Sequence, residues 1–71
     1  MELDGDKLRA ARQRRFWSQQ TLADKAGKTE ATINRLEQGK QQARPSTILE
    51  LAKALGVDAL TLVKEHDDAN G

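Results

Sequence analysis

What most constrains this chain is the stretch from Gln19 to Gly39, QQTLADKAGKTEATINRLEQG, in which two short apolar-periodic segments are separated by only three residues, Ala26-Gly27-Lys28. Ser18 carries the side-chain oxygen that suits an N-cap, and Leu22, Ala23 and Ala26 follow at i, i+1 and i+4, one face of a short helix. Gly27 supplies the left-handed conformation that ends it. Thr29 is placed to cap a second helix, whose Ile33 and Leu36 lie three apart on one face and which stops at Gly39 followed by Lys40. The spacing predicts two angled helices joined by a tight turn, with the rest of the chain holding and orienting the pair.

The flanking segments read as that support. Met1 to Asp6 is acidic, and Asp4 or Asp6 can cap a first helix running to about Arg15, with Leu8, Ala11 and Arg12 on its buried face and Arg9, Gln13 and Arg14 solvated. Trp17 is expected to plug the junction before the Ser18 cap, whereas Phe16 has no evident partner and is expected to be partly exposed. After Gly39 comes a polar loop, KQQAR, and then Pro45 at the start of a further helix with Ile48, Leu51, Ala52 and Leu55 at i, i+3, i+4 and i+7, closed by Gly56. Asp58 caps a last helix containing Leu60, Leu62 and Val63. The expectation is an all-α, compact five-helix bundle over residues 1–65, with 66–71 as a flexible tail.

Several function classes fall away at this point. Seventy-one residues make one small domain, with room for a modest core and none for a sizeable enclosed active site. Cysteine is absent, which removes disulfides and thiolate metal sites and suits a reducing cytoplasm. There is no run of about 18 apolar residues and no signal-peptide pattern, so a soluble cytoplasmic location is expected, without a membrane. His66 beside Glu65, Asp67 and Asp68 reads as a solvated terminus rather than a metal site. No Gly-rich phosphate loop, Ser/His/Asp set or buried carboxylate pair appears, so neither an enzyme nor a cofactor is expected.

Charge carries more. The net charge is only +1, but residues 7–44 hold ten basic side chains against three acidic, a local +7, while residues 1–6 and 45–71 are each at −3. The plain reading of such a stripe is a solvated face. Coinciding as it does with the paired helices, a helix-turn-helix, it is also the electrostatic footprint expected for a polyanion such as DNA.

Leu8, Arg12, Trp17-Ser18-Gln19, Leu22-Ala23, Gly27, Thr29, Ile33, Leu36-Glu37, Gly39-Lys40, Pro45 and LAKALGV at 51–57 together resemble, in identity and spacing, the phage-repressor class of helix-turn-helix domains, the Cro/C1-type or xenobiotic-response-element family. The resemblance covers roughly residues 7–63. It departs at Phe16, where a small or polar turn residue is usual, at Lys28, where a small or apolar one is common, and in a slightly long 40–44 loop. It implies a lambda-repressor-like bundle, with helices two and three as the motif, that binds operator DNA.

With Ile33 and Leu36 inward, a 100° step places Ala31, Asn34, Arg35 and Gln38 on the outer side of the second motif helix. The resemblance turns that side toward the major groove. Thr29, Glu30, Ala31, Asn34 and Arg35 are then the base-reading candidates: Arg35 has the fork for guanine O6 and N7, Glu30 can accept from cytosine N4, and the Ala31 methyl suits thymine. Glu30 has an equal claim as a first-turn acid that stabilises the helix dipole. Gln19, Lys28, Gln38, Lys40 and Arg44 are the phosphate-positioning candidates, which fix register without reading sequence. Arg12 and Glu37 match the family's inward ion pair, the alternative being two exposed charges worth about 0–1 kcal/mol. The expected partner is double-stranded DNA, bound by a homodimer joined through Leu60, Leu62 and Val63 that can be monomeric when free. An antitoxin-like or bridging protein module on the same scaffold, a protein partner, or an additional C-terminal domain are the alternatives.

Overall fold

The computed structural model describes residues 1–65; the expected tail and His66 lie outside the described residues. Four α-helices and one 3-10 turn follow in order: α1 Gly5–Arg14, α2 Gln19–Ala26, α3 Glu30–Glu37, α4 Pro45–Leu55 and the turn Ala59–Leu62. Each start has a local cause. The Asp4 carboxylate accepts from the backbone N–H groups of Asp6 and Lys7, the Ser18 hydroxyl from Thr21 N–H, the Thr29 hydroxyl from Thr32 N–H, and Pro45 opens α4 at a position whose N–H would be unpaired in any case. Gly27 ends α2 with φ 71°, the left-handed value that lets α3 leave at an angle after two further residues.

The apolar stripes converge on one core built from Leu8, Leu22, Ile33, Leu36, Ile48, Leu51, Leu55 and Leu62, all essentially inaccessible to solvent. Within it α2 packs on α3 and α4, and α1 packs on α3 and on the 3-10 turn. Trp17 is half-buried against this core, with the Arg15 guanidinium and the Lys25 ammonium 5.5 and 5.0 Å from its ring centroid.

The last element is the shortest of the expected five. It is a four-residue 3-10 helix capped by Asp58, and it stays short because the chain beyond it is taken by the N-terminus: Leu3 and Val63 form an antiparallel bridge, Asp4 N–H donates to Leu62 O at 2.8 Å, and Lys64 N–H donates to Glu2 O at 2.8 Å. The clasp buries Leu3 and Val63 and draws Leu62 wholly into the core. Of the three residues expected at a dimer contact, Leu62 and Val63 are therefore spent on the fold, and Leu60 alone, 67% exposed, faces solvent.

Gly5 opens α1 directly against the end of α3. A methyl group there would lie 2.5 Å from the carbonyl oxygens of both Leu36 and Glu37, which are backbone atoms that cannot turn aside. This close approach sets the N-terminal, positive end of one helix against the C-terminal carbonyls of another, a favourable pairing of dipole ends. Replacing glycine by alanine inside a helix ordinarily gains about 0.5–1 kcal/mol. Here overpacking, which costs about 1–3 kcal/mol, should win. Gly5→Ala is expected to lower the melting temperature, by about 4–8 °C for each kcal/mol lost in a domain of this size; a rise would show that the two helices can separate freely.

Candidate nucleic-acid interface

Glu37 is the one buried charged side chain among the described residues, 2% exposed, on the inner face of α3 beside Ile33 and Leu36. Arg12 reaches it from α1 in a two-pronged contact, Nε to Oε2 at 2.6 Å and Nη2 to Oε1 at 3.0 Å, while Arg12 Nη1 donates to Trp17 O at 2.8 Å. Arg9 adds a longer contact, Nε to Oε1 at 3.5 Å, and Gln19 donates from Nε2 to Oε1 at 3.0 Å. One carboxylate thus ties together α1, the turn before α2, the first residue of α2 and the end of α3. Burial pushes the Glu37 carboxyl up, but the hydrogen bonds from Arg12 and Gln19 and the charges of Arg12 and Arg9 outweigh it, so the net shift is downward. The same hydrogen bond holds Arg12 further above its already high value against the opposing effect of burial.

On the opposite side of α3, Thr29, Glu30, Ala31, Arg35 and Gln38 are exposed and Asn34 is half-buried. Arg35 does not swing loose: its Nε donates to Gln41 Oε1 in the following loop at 2.9 Å, and the two terminal nitrogens of the exposed guanidinium have no partner among the described contacts. Asn34 is bonded on both sides, donating from Nδ2 to Gln19 Oε1 at 3.2 Å and accepting at Oδ1 from Gln38 Nε2 at 3.0 Å. Both ends of the Gln19 amide are therefore engaged inside the protein. Its backbone N–H, in the first turn of α2 with no intrahelical partner, is its remaining means of holding a phosphate.

Around this helix the other expected positioning residues divide. Lys40 and Arg44 are exposed in the loop between α3 and α4. Lys28 is not swinging freely, for its ammonium meets the Glu50 carboxylate of α4 at 2.7 Å. Lys28, Thr32, Leu36, Gln41, Arg44 and Thr47 line an open groove of about 280 Å³ beside α3. Two residues that sequence reasoning gave no role complete the support: Arg15 donates from Nη2 to Leu55 O at 2.7 Å, binding the end of α1 to the end of α4, and Lys7 donates to Val63 O at 3.1 Å, closing the terminal clasp. Neither has a local signature, since their partners lie 40 and 56 residues away. Among the described residues no group of three or more His, Asp or Glu could hold a metal ion, and no helix is long and apolar enough to cross a membrane.

This geometry, a tightly turned helix pair with one face of the second helix presented in a basic surround, agrees with comparisons to known proteins. The helix-turn-helix family profile matches residues 8–62, and the chain belongs to that family, in its Cro/C1-type branch. It is 36% identical over 69 residues to the competence pilus inhibition repressor of Acinetobacter baylyi; the match takes in 94% of this chain, which spans 63% of the repressor's length. Among solved structures it resembles the restriction-modification controller protein C.AhdI of Aeromonas hydrophila, at TM-score 0.78 and 32% identity over 80% of this chain and 83% of that one. It also resembles a hypothetical transcription factor, NHTF, of Neisseria, at TM-score 0.81 and 28% identity over 92% and 75% of the two chains. These relatives are regulators and not enzymes.

The buried pair makes a prediction that needs no DNA. Glu37→Gln strands a desolvated guanidinium, which should cost about 3 kcal/mol, and changing Arg12 and Glu37 together to Met should recover much of that loss. Because the folded protein holds the Glu37 proton less tightly than the unfolded chain, the stabilisation is complete above the ordinary carboxyl range near about 4.3 and is lost as pH falls through the lower folded value. Chemical denaturation of parent and Glu37→Gln at a series of pH values should show a gap that is constant near neutrality and narrows below about pH 4. A gap that widened on acidification would contradict the assignment.

Proposed function

We propose that this chain binds double-stranded DNA sequence-specifically through the major groove and acts as a cytoplasmic transcriptional regulator, a repressor or autoregulator working as a homodimer on a palindromic operator. The observation that carries the reading is the outer face of α3: Thr29, Glu30, Ala31 and Arg35 stand exposed on a rigidly held helix within the segment of charge +7. A protein-only binder has no need of that charge. The likeness to a repressor, a restriction-modification controller and a transcription factor supports the same reading.

In this reading Arg35 takes guanine O6 and N7 with its two uncommitted terminal nitrogens, Glu30 accepts from cytosine N4, and the methyl of Ala31 meets thymine, while Lys40, Arg44 and the first N–H groups of α2 hold phosphates. Lys28 joins them by exchanging Glu50 for a phosphate. One recognition helix reads too few base pairs to mark a unique address, so two copies read half-sites about one helical turn apart, roughly 34–36 Å. Leu60 is the exposed apolar residue available for the contact between copies near the chain's C-terminal end.

A second reading, a module that docks on another protein, draws on Phe16. This residue is 95% exposed at a backbone φ of 59°, a left-handed conformation that a bulky residue adopts at a cost of about 1–2 kcal/mol. The two readings separate in a selection from random duplex DNA. Enrichment of a two-fold symmetric site is expected, whereas no enriched sequence, with tight binding to a protein lost on Phe16→Gly, would favour the second.

Substitution then distinguishes reading from holding. Arg35→Ala should lose about 1–3 kcal/mol of discrimination at one base pair per half-site, with the fold intact. Lys40→Ala should weaken specific and random DNA alike and make the log–log salt slope shallower by about one unit per subunit. Titrations of the selected duplex and its single-base variants at several salt concentrations measure both. A uniform loss across all sequences for Arg35→Ala would move it from the base-reading group to the phosphate group.

A further inference from the structure

The buried carboxylate does more than hold α1 to α3, because it also dictates the direction of every amide between itself and the surface. An ionised carboxylate only accepts hydrogen bonds, so the atom of Gln19 that meets Glu37 Oε1 must be the NH2 nitrogen. Gln19 Oε1 is then the atom that faces Asn34, and it can only accept, so Asn34 must donate from Nδ2. Asn34 Oδ1 is left to accept from Gln38 Nε2. A side-chain amide can ordinarily turn end for end at little cost, but each of these three is fixed by the one before it. The chain ends on Gln38, which is exposed and has its Oε1 and the second hydrogen of Nε2 unspent among the described contacts. An acceptor and a donor side by side are the complement of N6–H and N7 at the major-groove edge of adenine.

We propose that Gln19 is a positioning residue for sequence readout: it passes the fixed direction of the Glu37 carboxylate through Asn34 to Gln38, so that Gln38 reads adenine at one base pair of each half-site. This rests on the DNA-binding reading above and deepens it, since Gln38 moves from phosphate contact to base contact and Asn34 from base contact to support. The ordering term is what matters. A glutamine free to turn presents either edge, and its preference between bases is correspondingly weak; a glutamine locked in one sense presents one.

The test has two readouts on the same proteins. Side-chain amide signals of Asn34 and Gln38 in the free protein report whether the chain is ordered, and selection from random duplexes reports what is read. Gln38→Ala should abolish an adenine preference at one position per half-site. Gln19→Leu, which leaves the Arg12–Glu37 pair in place, should shift and sharpen toward free-amide values the signals of Asn34 and Gln38, and should reduce that same adenine preference fivefold or more while other positions keep theirs. Asn34→Leu cuts the chain one link nearer the surface and should do the same to the Gln38 signal and to the preference, which keeps the test decisive if Gln19→Leu folds poorly. Unmoved amide signals in the cut variants, or moved signals with the adenine preference intact, would overturn the proposal. A parent protein that enriches no sequence at all would instead overturn the DNA reading and the proposal with it, a result distinguishable because the amide signals are measured without DNA.

Discussion

One buried ion pair organises this molecule. Removing a carboxylate from water costs several kcal/mol, and Glu37 recovers that only because two nitrogens of Arg12, one of Arg9 and one of Gln19 close on it. Since those donors come from α1 and α2, α3 cannot be properly seated unless both neighbours are in place. Arg12 extends the constraint by gripping the carbonyl of Trp17, the residue just before the α2 cap. A hydrophobic core of leucines, isoleucines and alanines fixes that the helices pack, but it tolerates sliding. The pair selects one register among the arrangements the core would accept, and among the described residues no buried side-chain polar atom is left unsatisfied by that choice.

Functional groups are arranged outward from this point in order of increasing freedom. Behind the helix lies a fully buried charge, next come amides bonded at both ends, and at the surface stand Arg35 braced by Gln41 and the loop cations Lys40 and Arg44. Arg35, which would discriminate between bases, is therefore braced, whereas Lys40 and Arg44, which would sense phosphate charge, stand exposed with no side-chain partner among the described contacts. That division makes physical sense, because a point charge screened by salt requires little geometric definition, whereas a bidentate hydrogen bond to a base edge is sensitive to fractions of an ångström.

Much of the fold was legible because its causes are local. Asp4, Ser18 and Thr29 cap the helices they precede, Gly27 ends α2, and the period of Ile48, Leu51, Ala52 and Leu55 defines α4; each acts within one turn of its own position. What escaped depends on residues far apart in the chain. Leu3 stands alone in an acidic segment with no period to mark it as core, yet it pairs with Val63, and that pairing keeps the last helix to a 3-10 turn and places Leu62 and Val63 in the core. Gly5 looks like any helix-start glycine until the carbonyls of Leu36 and Glu37 arrive above it. Lys28, a phosphate-positioning candidate by its place in the turn, is paired with Glu50, which lies 22 residues on in another helix and leaves no local signal. The outer face of α3 was legible as a set of positions, since helical geometry alone places them. Which of their atoms point outward was not, since that is decided by hydrogen bonds to Gln19 and Gln41 from outside the helix.

The central claim is that this chain meets double-stranded DNA with the outer face of α3 and the loop behind it. Mapping backbone amide shifts of the protein on titration with a selected duplex tests that most directly. The account predicts changes concentrated at Thr29–Gln38, at Lys40–Arg44 and at the start of α2, with the far side of α4 around Lys53 and the terminal clasp at Leu3 and Val63 little affected. Changes centred instead on Phe16 and the end of α1, or spread evenly over every exposed cation, would contradict it.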